Sequence, residues 1–187
     1  MKRLSLLLAA ALAAATLGAC ATPLPPPQAS FAGLQAVREG DLPPMRVGQF
    51  TPGPGKPTSM DRAIQVRAES QPAPPGGYAK YLGDTIAADL QGGGRLDLGS
   101  GIVIEGVLTE THVESMSVGK AALGARFTVR RHGVVVYDKV LRVEESWTTD
   151  YLGAVAIPDA FNHYTGLFAK LSQKLLADPE FVRAVRG

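Results

Sequence analysis

From residue 102 to residue 147 the sequence alternates apolar and polar residues in three consecutive runs, and this alternation limits the fold more than any other feature. Successive side chains on a strand point to opposite faces, so such runs predict a sheet with one dry face and one wet face. Ile102, Ile104 and Leu108 share a parity in the first run, and Ala125, Phe127 and Val129 alternate with Arg126, Thr128 and Arg130 in the second. Val135, Tyr137, Leu141, Val143 and Trp147 share a parity in the third. Arg131-His132-Gly133 separates the last two runs as a hairpin turn, where Gly133 is free to take a positive φ. A dry face needs a cover. Tyr78, Leu82, Ile86 and Leu90 recur at i, i+4 spacing, beside Tyr81, Thr85 and Asp89, and predict a helix that ends at Gly92-Gly93-Gly94. Phe161, Tyr164, Leu167, Phe168, Leu171 and Leu175 predict a second helix, from about Asp159, interrupted at Asp178-Pro179 before a last turn with Phe181 and Val182. Residues 45–50 and 63–67 read as short strands, so the order is β-β-α-β-β-β-α. The simplest packing is an α+β two-layer sandwich, with a mainly antiparallel sheet covered on one face by two helices. Leu82, Ile86, Phe127, Tyr137, Leu141, Phe168 and Leu171 are the expected core.

The beginning of the chain has a different character. Lys2 and Arg3 precede an apolar run of Leu and Ala that ends near Leu17, too short to span a bilayer comfortably, so residues 1–19 read as a secretory signal peptide. Leu17-Gly18-Ala19-Cys20 resembles the bacterial lipobox. That resemblance implies cleavage before Cys20, diacylglycerol on its sulfur and acylation of the new amino group; two or more chains anchor firmly where one is marginal. Ala21 follows the cysteine in place of Asp, which by resemblance to enterobacterial sorting implies the outer membrane, on its periplasmic side. Pro23, Pro25, Pro26 and Pro27 open a Pro-rich tether assigned to residues 20–44, with local structure around Phe31, Leu34 and Val37 and a close at Pro43-Pro44. Fully extended, residues 21–44 would reach about 75 Å. Residues 45–187 then form a single α+β domain.

Composition narrows the chemistry. The 187 residues, 45% of them hydrophobic, suffice for one core and not for two large domains. Of 19 Lys and Arg, two lie in the signal, and the remaining 17 balance 17 Asp and Glu, so no electrostatic footprint for nucleic acid remains. One cysteine excludes an internal disulfide and any multi-cysteine metal site. Gly53-Pro54-Gly55-Lys56-Pro57-Thr58-Ser59 fails as a phosphate loop, because Phe50 stands where the first Gly belongs and Pro57 replaces the hydroxyl after Lys56. Gly99-Ser100-Gly101 precedes a strand and reads as a turn. His112, His132 and His163 have no short ligand spacing, no Gly-x-Ser-x-Gly elbow exists, and adjacent Glu144 and Glu145 point to opposite faces of a strand. The sequence calls for no catalytic residue, no metal and no cofactor. Arg126, Arg130 and Arg131 with Arg142 make a candidate basic strip, for anionic headgroups or carboxylates. Tyr137, Trp147, Tyr151, Phe161 and Tyr164 gather where the third run meets the last helix, and residues 153–158 between them read first as a tucked connection, with a helix lead-in or a partner-binding lip as alternatives.

The lipobox, the element order and the ending Leu175-Leu176-Ala177-Asp178-Pro179-Glu180-Phe181 resemble the YajG-like lipoproteins of Gram-negative envelopes. More distantly they are similar to the auxiliary lipoproteins of lipid-transporting ABC systems. Both resemblances imply a chain without catalytic residues: a non-enzymatic, membrane-anchored binding or assembly module with an envelope protein partner. The second implies an accessory subunit that binds or hands over lipid, with an apolar groove between sheet and helices. A partner is expected away from the lipid end, with Tyr151 and Leu152 at the centre of its contact, since large apolar loop residues either tuck under the core or serve as contacts. Cys20→Ala should leave the chain unprocessed or unanchored. Metabolic labelling with a fatty-acid analogue checks this, and label that persists in the variant contradicts it.

Overall fold

The computed structural model describes residues 24–54 and 61–187. The signal peptide, Leu17, Gly18, Ala19 and Cys20 lie outside the described residues, as does most of the Gly53–Ser59 stretch. The described elements are α1 (Phe31–Glu39), β1 (Arg46–Pro52), β2 (Ala63–Val66), β3 (Glu69–Pro72), α2 (Gly77–Gly92), β4 (Ile102–Ser115), β5 (Val118–Arg131), β6 (Val134–Thr148), α3 (Gly153–Leu176) and α4 (Pro179–Arg186). One sheet has the order β1-β4-β5-β6, and β2 and β3 form a separate hairpin. The two long hairpins of the main sheet are antiparallel, while β1 pairs with β4 in parallel. A parallel pair needs a crossover, and here the β2–β3 hairpin and α2 supply it.

The alternation of the three long runs fixes which face is dry. Ile104, Leu108, Leu123, Ala125, Phe127, Val129, Tyr137 and Leu141 are buried beneath the helices. A bulge between Leu108 and Glu110 re-phases β4 so that Val113 and Ser115 also turn inward. β5 begins at Val118, well before the expected run, because residues 119–124, four of them Gly or Ala, carry the ladder with little hydrophobic pattern of their own. At the β5–β6 turn both His132 (φ 48°) and Gly133 (φ 85°) are left-handed, as a two-residue hairpin requires.

α2 and α3 lie on the dry face and run in the same direction. Near the start of α2, Tyr78 stands edge-on to Tyr164, and Tyr81 stands edge-on to Phe168 at 5.0 Å between ring centres. Towards its end, Asp89 meets Ser172. All seven expected core residues are buried. α3 begins at Gly153, six residues ahead of Asp159, so residues 153–158 are helix and not a tucked connection, with Pro158 inside the helix. Pro158 forfeits one bond close to the helix start, where the chain is still exposed enough for water to substitute. At the other end Asp178 caps α4, accepting from the N–H groups of Glu180 and Phe181, with Pro179 in the first turn.

The largest departure from expectation concerns residues 24–42. They were assigned to the tether, yet they form part of the body. Ser30 caps α1 by accepting from the Gly33 N–H at 2.9 Å, and Ala36, Val37 and Leu42 are buried. The helix is held by the fully buried Asp89 carboxyl group. It accepts from the Ser30 N–H at 2.7 Å and the Ser30 hydroxyl at 3.2 Å, and from the Ser172 hydroxyl at 2.7 Å. A side chain at Gly33 would collide with Asp89, so only glycine admits this approach. Before Ser30 the chain runs back along α2: Ala29 lies against Gly92, and Pro25 O accepts from the Tyr81 hydroxyl at 3.1 Å. Asp89→Ala should cost about 1–3 kcal/mol by orphaning buried donors. Amide exchange should rise across α1 while Leu82 and Phe127 remain protected; α1 amides that keep their protection would contradict the role given to Asp89.

Candidate functional site

The outer face of the sheet has no helix over it, and its charges are paired. Arg126 holds Asp138 from the next strand through Nε at 2.6 Å, Arg130 meets Glu105 at 3.1 Å, and Arg142 binds Glu110 at 2.7 Å and also Glu144. Asp138 and Glu144 are held below the usual carboxylate range by these guanidinium groups. Arg131 has the opposite parity and donates to the carbonyls of Ala184 and Val185 at the end of α4. The candidate basic strip is therefore a neutral lattice of exposed pairs, each worth little to stability, rather than an anion site.

The inner parity of β6 also carries charges. Glu145 accepts from Lys170 at 2.6 Å and lies 3.2 Å from His163 Nδ1, and the Lys170 ammonium holds its carboxyl down. Glu144 and Glu145 thus face opposite sides, as a strand dictates. Lys139 bridges Asp178 at 2.9 Å and Glu180 at 3.1 Å. Inward charges and the Lys174 ammonium on the Arg142 carbonyl (2.8 Å) guard the exposed edge of β6 against pairing with another strand. His163 stacks on Trp147 with 4.1 Å between ring centres, His112 lies 3.8 Å from Glu114, and His132 sits in the hairpin turn. Among the described residues no three His, Cys, Asp or Glu side chains are grouped to hold a metal ion.

The feature without an internal partner is the end of the sheet where β4 turns into β5 and β6 runs into α3. Tyr151 is 96% exposed, Met116 71%, Leu152 64%, Val155 51% and Val118 48%. Arg67 organises this end. It occupies the β2–β3 turn at φ 55° and donates through Nε to Ser115 O at 2.8 Å and through Nη2 to Asp150 O at 3.1 Å. Asp150 accepts from the Leu152 N–H at 2.7 Å, and the Ser115 and Thr149 hydroxyls lie 3.1 Å apart. Three chain segments are thereby pinned while their apolar side chains point outward. Tyr151 and Leu152 were legible in the sequence as large apolar residues in a polar loop; Arg67, Met116 and Val118 were not, because their convergence depends on three distant turns. The N-terminal segment from Ser30 to Pro25 heads towards this same end.

The molecule is thus an α+β body with helices on one face of a mixed four-stranded sheet. That arrangement is similar to a protein of the DUF330 family from Xanthomonas campestris, with TM-score 0.52 and 15% identity over 87% of this chain and 91% of that one. Weaker likenesses are to a minor lipoprotein from Acinetobacter baumannii (TM-score 0.44, 11% identity, 76% of this chain and 96% of that one). A further one is to a Caulobacter crescentus protein provisionally described as a lipoprotein (TM-score 0.43, 12% identity, 57% and 83%). No protein-family model and no curated protein matches the sequence. At these identities the likeness is one of fold. Among the described residues no helix is long and apolar enough to cross a membrane.

Asp178 supplies a pH test of the α4 attachment. Burial pushes its carboxyl up, but Lys139 and the N–H groups of Phe181 and Glu180 outweigh this and hold it below the ordinary value of 3.8. A lowered carboxyl contributes stability above its unfolded value and loses it as pH falls. Lys139→Met should therefore lower the melting temperature near neutral pH, and the gap to the wild type should narrow between about pH 5 and about pH 3. Thermal melts across that range check this, and a gap that does not change with pH would contradict it.

Proposed function

We propose that this chain is a non-enzymatic lipoprotein of the Gram-negative envelope, anchored through Cys20 in the outer membrane facing the periplasm, that acts as a binding or assembly module. The observation that carries the reading is the attachment of the N-terminal segment to the body. Residues 24–42 are packed on α2 and α3, so only four residues, Ala21 to Leu24, separate a lipid on Cys20 from the contact of Pro25 with Tyr81. Those five residue steps reach about 17 Å, not the 75 Å of a free tether. Such a body stands close to the membrane in a restricted orientation and presents a constant far end to a partner. The YajG-like resemblance of the sequence points the same way.

A partner met away from the lipid falls at the end of the sheet opposite Tyr151 and Leu152. There Leu98 is 81% exposed and Val134 67%, beside the β5–β6 turn. The alternative, an auxiliary lipoprotein of a lipid-transporting ABC system, asks for an apolar groove between sheet and helices. In the described residues that space is filled by Phe127, Tyr164, Phe168 and Leu171, all within 1% of complete burial. A recess of about 210 Å³ between α2 and β1, lined by Val47, Phe50, Ala87, Leu96 and Leu98, is small for an acyl chain.

Photo-cross-linking in whole cells from positions 98 and 134 tests the leading reading. It expects one recurrent protein adduct that is lost on solubilisation of the envelope. Native mass spectrometry tests the alternative, which expects bound phospholipid. Retained lipid without an adduct would replace the first reading with the second.

A further inference from the structure

We propose that the apolar end of the sheet is a second membrane contact: Met116, Val118, Tyr151, Leu152 and Val155 seat in the interfacial region of the bilayer that holds the Cys20 lipid. The inference rests on Cys20 being lipidated and concerns what the exposed patch then meets.

The direction of the chain carries the argument. α2 and α3 run the same way, from Tyr78 beside Tyr164 to Asp89 beside Ser172. The N-terminal segment runs against them, with Ser30 at Asp89 and Pro25 at Tyr81, so at Pro25 it is directed towards the starts of both helices. The start of α3 is the apolar end. Distances agree with this placement. Tyr81 touches Phe168, and the 16 residues of helix from Phe168 back to Leu152 span about 24 Å. Side chains seated about 5–10 Å deep would put the membrane surface about 14–19 Å from the Tyr81 level. The five residue steps from Pro25 to Cys20 would cover at most about 17 Å. The lipid and the patch can therefore reach one surface together.

The chemistry of the patch suits an interface rather than water. Five large apolar side chains, one of them an aromatic with a polar tip, project from one end. The nearest charges are engaged: Arg67 on the carbonyls of Ser115 and Asp150, and Asp150 on the Leu152 N–H. Three backbone groups of the turns, Ser115 O, Asp150 O and the Leu152 N–H, are thus satisfied internally, which favours entry into the headgroup boundary.

The test uses the full-length, lipidated protein in vesicles of phosphatidylethanolamine and phosphatidylglycerol. Tyr151→Trp places a fluorophore in the patch, and Val140→Trp places one on the outer sheet face, where the native residue is 59% exposed. The signal of Trp147, common to both, is subtracted, and lipids carrying a nitroxide near the headgroup quench whatever reaches them. Tryptophan at 151 should lose about half of its emission and tryptophan at 140 under about a tenth, as shallow seating requires. Leu152→Trp repeats the measurement should the first variant misfold. Equal quenching at both positions, on protein whose Cys20 carries its acyl mass, overturns the membrane contact and leaves the anchor standing. A protein adduct at 151 in place of quenching overturns it in favour of a protein partner. Absence of the acyl mass overturns the anchoring reading, and this inference with it.

Discussion

A single buried carboxyl group determines how the two ends of this chain relate. Asp89 is fully enclosed, and its oxygens accept from the Ser30 backbone, the Ser30 hydroxyl and the Ser172 hydroxyl. Burying such a group without partners would be costly, and with them it ties α1, α2 and α3 into one unit. Ser30 serves twice, since its hydroxyl also caps α1. Without this knot the Pro-rich beginning of the chain would be a loose leash. With it, the path back from Ser30 to Pro25 is laid along α2.

The sheet solves a different problem, that of showing a bare face and a bare edge to water. Cross-strand pairs such as Arg126 with Asp138 and Arg142 with Glu110 cover the outer face with neutral, well-solvated charge. They contribute little individually, but they surround the exposed Val140 with paired charge. On β6 the inward Lys139 and Glu145 find counter-ions on α4 and α3, and Lys174 takes an edge carbonyl. These arrangements discourage edge pairing without burying an unpaired charge.

Against that background the exposed end stands apart. The core side chains are packed under the helices, whereas Tyr151, Leu152, Val155, Met116 and Val118 are held outward by a scaffold of polar contacts centred on Arg67. Leaving such side chains in water forgoes about 25 cal/mol for each Å² of burial. The stacking of His163 on Trp147 fastens the first turns of α3 to β6 just behind this end. The scaffold is rigid where it is polar and open where it is apolar, a combination suited to a contact surface.

The sequence by itself determined the features whose signals are local and periodic. Two-residue alternation identified the dry face through Phe127, Val129, Tyr137 and Leu141, and helical spacing identified α2 through Tyr78, Leu82, Ile86 and Leu90. Parity alone separated Glu144 from Glu145. The tertiary structure decided what depends on partners far along the chain. Residues 31–39 are flanked by Pro25 to Pro27 and Pro43-Pro44, and their helix is held by Asp89 and Ser172, which no window around Ser30 contains. Pro158 reads as a stop, yet its position near an exposed helix start makes the missing bond tolerable. Residues 119–124, mostly Gly and Ala, carry no hydrophobic alternation, and their place in β5 is imposed by ladders on both sides. Tyr151 and Leu152 could be seen as unusual, but whether they were tucked or open depended on how Arg67, Ser115 and Asp150 meet. Such encounters between distant turns are set by packing, which no local pattern encodes.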